Sequence, residues 1–155
     1  MKEIEHKFLV VSDAWKKGTA GKAVRQGFLS IDPDRTVRVR VVEDAAFLTI
    51  KGRRIGPAAF EFEYPIPVVD AEFLLERLCL RPLIEKTRYR VEFGGLVWEV
   101  DEFHGLNEGL VVAEIELERP DQPFAKPDWV GEKVTEDHRY TNARLVESPY
   151  SSWKE

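Results

Sequence analysis

Through most of this chain, charges recur at every second position. In the opening stretch EIEHKFLV, Glu3, Glu5 and Lys7 alternate with Ile4, His6 and Phe8. A helix would scatter those charges around its circumference. A strand, whose successive side chains point to opposite faces, gathers them on one side. The pattern returns six times: Arg38 and Arg40 against Val37, Val39 and Val41; Thr49 and Lys51 against Leu48 and Ile50; Glu61 and Glu63 against Phe60, Phe62 and Tyr64. Lys86, Arg88 and Arg90 oppose Tyr89 and Val91, Glu99 and Asp101 oppose Trp98 and Val100, and Glu114, Glu116 and Glu118 oppose Ile115 and Leu117. On one strand Glu3 and Glu5 stand about 7 Å apart and repel by about 2 kcal/mol at an effective dielectric of about 20. A cationic group is expected to face them.

Eight strand-like runs follow one another: EIEHKFLV, KAVRQGFLSI, TVRVRVVE, AAFLTIKGR, FEFEYPI, IEKTRYRVEF, LVWEVDEF and LVVAEIELE. Turn residues separate them, DPDR at 32–35, EDA at 43–45, GP at 56–57 and GG at 94–95, so most neighbours should be antiparallel. VVDAEFLLERLCLRP (68–82) has helical apolar spacing, Asp70 as the expected N-cap and Pro82 beyond its end. A second helical piece is TNARLVE (141–147), and SDAWKK (12–17) reads as a short helix capped by Ser12. The expectation is one mainly β (α+β) domain over residues 1–150, with a poorly ordered tail in SPYSSWKE, of which 151–155 lie beyond the domain.

Two architectures fit this pattern. One is an open antiparallel sheet, apolar beneath and solvated above, laced by cross-strand ion pairs. A solvated face, however, usually mixes Thr, Ser and Gln with charge, and these positions are almost all ionic. Eight strands also suffice to close a barrel with room for side chains and one small ligand. The favoured reading is therefore a closed eight-stranded antiparallel β-barrel, a tunnel with a charged interior and a few flanking helices.

The lining specifies a ligand. Lys7, Arg38, Arg40, Lys51, Lys86 and Arg88 are donors suited to phosphate oxygens. Glu3, Glu5, Glu61, Glu63, Asp101, Glu114 and Glu116 are hard oxygen ligands that would repel phosphate unless a cation stood between, and Mg²⁺ or Mn²⁺ bridges carboxylates to phosphates in this way. Such a lining is what a metal-dependent phosphoryl-transfer site requires. The net charge of −5 argues against duplex nucleic acid as a partner. No run is long and apolar enough to span a bilayer and no signal segment precedes the first strand, so a soluble, cytoplasmic protein is expected. Cys79 is alone and expected to be a buried thiol. His6, His104 and His138 lack the spacing of a metal site, and Trp98 and Trp129 are expected to pack on the outer face.

EIEHK at 3–7 resembles the ExExK signature of the CYTH domain, the triphosphate tunnel metalloenzymes. The likeness continues through RQGFL (25–29), RVR (38–40), LTIKG (48–52), EFEY (61–64), EKTRY (85–89), WEVDEF (98–103), AEIEL (113–117) and PDWVGEKVTEDHRYTN (127–142). It implies an eight-stranded tunnel that binds triphosphates with a divalent metal. Carried over, it makes Glu3, Glu5, Glu63, Asp101, Glu114 and Glu116 the metal set. Lys7, Arg38, Arg40, Lys51, Lys86, Arg88 and Arg139 become the phosphate-binding set, and Glu3, Glu5, Lys7 and Asp101 the catalytic one. Many relatives carry Arg two residues before the first Glu of EFEY, where this chain has Ala59, and Arg53 or Arg54 is a candidate to replace that charge.

The expected activity is hydrolysis of inorganic tripolyphosphate with Mg²⁺ or Mn²⁺ and water as nucleophile, by a monomer or homodimer. The alternatives are another triphosphate-using member, whether an adenylate cyclase or a thiamine or nucleoside triphosphatase, and a polyphosphate- or nucleotide-binding sensor that hydrolyses nothing.

Overall fold

The computed structural model describes residues 2–153. Its strands are β1 (Lys2–Val10), β2 (Lys22–Asp32), β3 (Arg35–Val42), β4 (Ala45–Gly52), β5 (Ala58–Pro65), β6 (Ile84–Phe93), β7 (Leu96–Phe103), β8 (Val111–Leu117) and β9 (Val130–Lys133). Helix α1 (Val68–Arg77) follows β5, and α2 (Asn142–Glu147) follows β9. The strands pair antiparallel in the order β5-β4-β3-β2-β6-β7-β8-β1, and β5 pairs with β1 again, so eight strands form a tunnel-like ring. The open-sheet alternative is thereby excluded.

Tight turns set the register. Gly94 and Gly95, both at positive φ, make the two-residue turn between β6 and β7 whose twist suits a hairpin. Leu29 is an extra residue on β2, since Phe28 pairs with Arg38 and Ser30 with Val37. Such a bulge reverses the alternation, and Phe28 and Ile31 both reach the ring interior.

The seam is short, three residue pairs from Lys2–Phe60 to Ile4–Ala58. Beyond it Glu5 N donates to Pro57 O at 2.9 Å, and Lys7 N donates to Thr135 Oγ1 at 3.0 Å. Strand β9, which the pattern of the sequence does not predict, then takes the rest of the β1 edge. The exposed donors of an edge strand are thus satisfied in turn by β5, a side chain and β9.

Three apolar clusters surround the ring. Helix α1 lays Ala71 and Leu75 against Val39, Val41 and Ala46, with Cys79 buried beside them. The segment 119–129 covers β1, β7 and β8, where Phe124 and Trp129 meet Phe8, Trp98 and Ile115. The third cluster lies inside one end of the ring: Leu145 and Val146 of α2 pack on Phe28, Ile84, Phe103 and Val112. These share their inward parity with Arg88, Asp101 and Glu114, so α2 is a plug rather than a flanking helix. Outside, β4 and β5 leave Ile50, Phe60, Phe62 and Tyr64 exposed.

Several local expectations are corrected. Asp70 does not cap α1: Pro67 holds the cap position without a side-chain bond, and Asp70 sits in the first turn, where its charge suits the helix dipole. Residues 12–17 yield only a 3-10 turn, Ala14–Lys16, anchored by Trp15 against Tyr89. The tail is ordered through Trp153, which packs on Tyr140 and Tyr150, while residues 154 and 155 lie outside the described residues. Among the described residues no helix is long and apolar enough to cross a membrane.

Candidate active site

Alternation directs Glu3, Glu5 and Lys7 of β1, Arg38 and Arg40 of β3 and Lys51 of β4 into one cavity of about 460 Å³. Glu61 and Glu63 of β5, Lys86 and Arg88 of β6, Glu99 of β7 and Glu114 and Glu116 of β8 complete its charged wall. Glu99 sits 3.3 Å from Arg88 on this wall. Two predicted residues are not on the wall. Asp101 is buried behind it, and Arg139 faces an outer groove, forked on Asp137 and stacked 4.9 Å over Trp153.

One region of the wall is acidic. Glu5 and Glu116 are direct cross-strand partners on β1 and β8. Burial, with the charges of Glu114 and Glu3, pushes the Glu5 carboxyl up to about 7. Burial together with Glu3, Glu61 and Glu99 also raises Glu116. The cations here are Lys51, 2.8 Å from Glu3 and 3.3 Å from Glu61, and Arg54, 3.1 Å from Glu5 and 3.6 Å from Glu3. Burial disfavours the Lys51 ammonium, but Glu5 and Glu3 outweigh it and raise its pKa.

The opposite region is cationic. Arg88 forks both oxygens of Asp101 at 2.7 and 2.8 Å, and Lys86 donates to the second at 2.8 Å. Burial alone would raise Asp101; the two cations reverse it and hold the carboxyl well below the usual range. The same reversal, by Lys7 and Arg88, brings Glu114 down to about 2. Burial and the neighbouring Arg38 and Arg88 press Arg40 down to about 9. Arg38 donates to Thr49 Oγ1 at 3.1 Å, but its buried Nε has no hydrogen-bond partner. Crowded cations with an unused donor suit a polyanion.

Three participants escape sequence reasoning or only half yield to it. Gln26, fully buried, accepts from Arg40 Nε at 3.1 Å and donates to Asn142 Oδ1 at 2.7 Å. Asn142, first residue of the plug, also accepts from Lys86 at 2.8 Å. Arg54, one of two candidates for the charge absent at Ala59, reaches Glu5 inside the cavity, whereas Arg53, also on its lining, is exposed and paired with Asp34. His138 and Arg144 stand at the mouth nearest the plug.

The acidic region suits a divalent cation by chemistry. Its donors are all carboxylate oxygens, which Mg²⁺ and Mn²⁺ prefer, and the raised Glu5 and Glu116 report negative charge in want of neutralisation. Among the described residues, no three such side chains close on one point. Lys51 and Arg54 stand among them instead.

Comparison with known proteins agrees with this geometry. The family model described as the CYTH domain matches residues 1–147. An inorganic triphosphatase of Acetivibrio thermocellus is 53% identical over 154 residues, 99% of each chain. Another, from Nitrosomonas europaea, is 37% identical over 151 residues, 94% of this chain and 97% of its own. The crystal structure of the inorganic triphosphatase NE1496 matches with a TM-score of 0.68 at 35% identity, covering 94% of this chain and 97% of that one. A putative adenylyl cyclase from Hippeastrum shares the fold at 16% identity, with a TM-score of 0.59 over 77% of this chain and 81% of its own.

Proposed function

The chain belongs to the CYTH domain family, and from that premise we propose that it is a divalent-metal-dependent inorganic triphosphatase acting on tripolyphosphate. The observation that carries the reading is the division of one cavity into a carboxylate region and an arginine region, with the buried Arg38 Nε unpartnered between them. Two relatives named inorganic triphosphatase span nearly the whole chain and support it.

Arg38, Arg40, Arg88 and Lys7 grip the phosphate chain, and Lys51 and Lys86 add charge at the two ends of that row. Glu3, Glu5, Glu114 and Glu116, with Glu63, are the carboxylates that would hold Mg²⁺ or Mn²⁺. Bound there, such an ion would supply charge neutralisation for the phosphate chain. Asp101 has no free oxygen and acts as a positioning residue, aiming Arg88 and Lys86. The acidic wall orients the attacking water, whose proton passes to a phosphate oxygen as it attacks, so no carboxylate that would hold the ion has to serve as base as well. The water oxygen bonds to phosphorus as the phosphoanhydride bond breaks, and phosphate and pyrophosphate leave. The plug of α2 closes one end, and Arg144 and His138 guard the nearby mouth; Arg139 lies behind them and steadies that segment.

A small cytoplasmic anion fits this reading better than duplex nucleic acid. The exposed Phe60, Phe62 and Tyr64 favour a homodimer over a monomer, which sedimentation decides. The activity is tested by phosphate release from tripolyphosphate, ATP, GTP, thiamine triphosphate and pyrophosphate, each with Mg²⁺, Mn²⁺ or EDTA. Fast release from tripolyphosphate, abolished by EDTA, is expected. Preference for a nucleoside or thiamine triphosphate would move the assignment within the family. No release from any of them, with tripolyphosphate still raising the melting temperature, would make the protein a sensor.

A further inference from the structure

Arg54 lies on the turn between β4 and β5, a segment outside the strands. The turn is closed by reciprocal bonds of Ile55 and Ala58 at 2.8 and 3.1 Å, and Arg54 Nη1 donates to Pro57 O at 2.7 Å. Its other amino group reaches into the cavity, donating to Glu5 Oε1 at 3.1 Å and lying 3.6 Å from Glu3 Oε1. The side chain is only 17% exposed. Ala59, the cross-strand partner of Glu3, is buried with no polar atom to offer. Arg54 is thus a cation that reaches the head of the acidic pair from outside the strand ladder, on a turn tied to β1 by the Glu5 N–Pro57 O bond.

A guanidinium bonded to a Glu5 oxygen uses lone pairs that a divalent cation would need. It also lines the cavity proposed to take the triphosphate. We propose that Arg54 is an exchangeable counter-ion: it neutralises Glu3 and Glu5 while no divalent cation is bound, and swings to a phosphate oxygen of the substrate once the cation takes those carboxylates. The inference rests on the metal-dependent reading above. It explains how a chain with Ala59 keeps an arginine for the phosphate chain, and how its acidic cluster remains folded before the ion arrives. Lys51 shares the first task but is fixed on its strand between Glu3 and Glu61.

The exchange predicts effects of opposite sign. Removing Arg54 frees the carboxylates for the ion and deprives the substrate of a contact. In Arg54→Gln, Mn²⁺ measured calorimetrically without substrate should bind about tenfold more tightly, while KM for tripolyphosphate rises about tenfold. Arg38→Gln deletes the same charge from the other wall, where the contacts are Thr49 and Glu63. It should raise KM without the gain in Mn²⁺ affinity, and Arg54→Lys should reverse part of both changes seen in Arg54→Gln. An equal gain in the two Gln variants would indicate a bulk charge effect and overturn the exchange, as would unchanged or weaker Mn²⁺ binding in a folded Arg54→Gln. If the unmodified protein bound no Mn²⁺, the metal reading itself would fall, and this inference with it.

Discussion

Arg88 and Asp101 stand directly opposite each other on β6 and β7, and the arginine covers both oxygens of the carboxylate from Nε and Nη2 at 2.7 and 2.8 Å. With Lys86 Nζ on the second oxygen, the pair is a buried triad in which one anion holds two cations at fixed angles. A buried cation stripped of its partner is costly, so the triad sets both stability and aim.

Asp101→Ala should lower the unfolding free energy by about 3–5 kcal/mol, by the usual cost of breaking a buried pair. Thermal denaturation would read this as a fall of roughly 10 °C for a chain of this size. Asp101→Asn should lower kcat yet leave Mn²⁺ affinity within about twofold, whereas Glu116→Gln weakens it about tenfold or more. A matching loss of affinity in Asp101→Asn would make Asp101 a ligand.

Glu5 gives a pH dependence of definite sign. Its folded pKa, near 7, lies above the ordinary carboxylate value, so between those values the folded state holds a proton that the unfolded state has released. Stability from this group is therefore present at low pH and lost as pH rises through 7. Without metal, the melting temperature should fall between about pH 5 and pH 7 and level off above that, and Glu5→Gln should flatten the slope. With Mn²⁺ present the fall should disappear, because the ion replaces the proton. An identical slope in Glu5→Gln would assign it to another group.

Gln26 is expected to act on Arg40 rather than on substrate. Gln26→Ala leaves Arg40 Nε and Asn142 short of partners, and KM for tripolyphosphate should rise about tenfold with a smaller change in kcat. Gln26→Asn, one methylene shorter, should rescue little; restoring the bond needs the full length of the side chain. Steady-state kinetics decides this, and an unchanged KM in a folded Gln26→Ala would make Gln26 merely core.

At the mouth, Arg144→Ala should raise KM severalfold, since Arg144 lines the cavity. Arg139→Ala should leave KM within about twofold and instead lower the melting temperature, as its fork to Asp137 and its stacking on Trp153 are lost. The reverse pattern would place Arg139 on the substrate.

The charged lining is legible because alternation displays the two faces of a strand within a few residues. Closure is less so: it depends on three pairs between β1 and β5, whose Ala58, Ala59 and Phe60 carry no mark of pairing. Strand β9 is four residues of mixed character and gives no period to read. Parity brings Asp101 inward but does not reveal that its oxygens are spoken for, because that depends on the reach of Lys86 and Arg88. Gln26 shares its face with Val24 and Phe28 and looks like an isolated polar group in an apolar row; its partner Asn142 is 116 residues away. Arg54 comes from a turn, where no alternation exists to point it inward.

The three-pair seam has a consequence for synthesis. Strand β1 carries Glu3, Glu5 and Lys7, yet Glu114 and Glu116 on its long partner β8 leave the ribosome about a hundred residues later. Until then β1 has only the brief contact with β5, and contacts so distant along the chain form slowly. No shorter nascent chain holds the acidic set together, so a half-made molecule has no complete charged cavity. Activity begins only when the last strand of the ring has met the first.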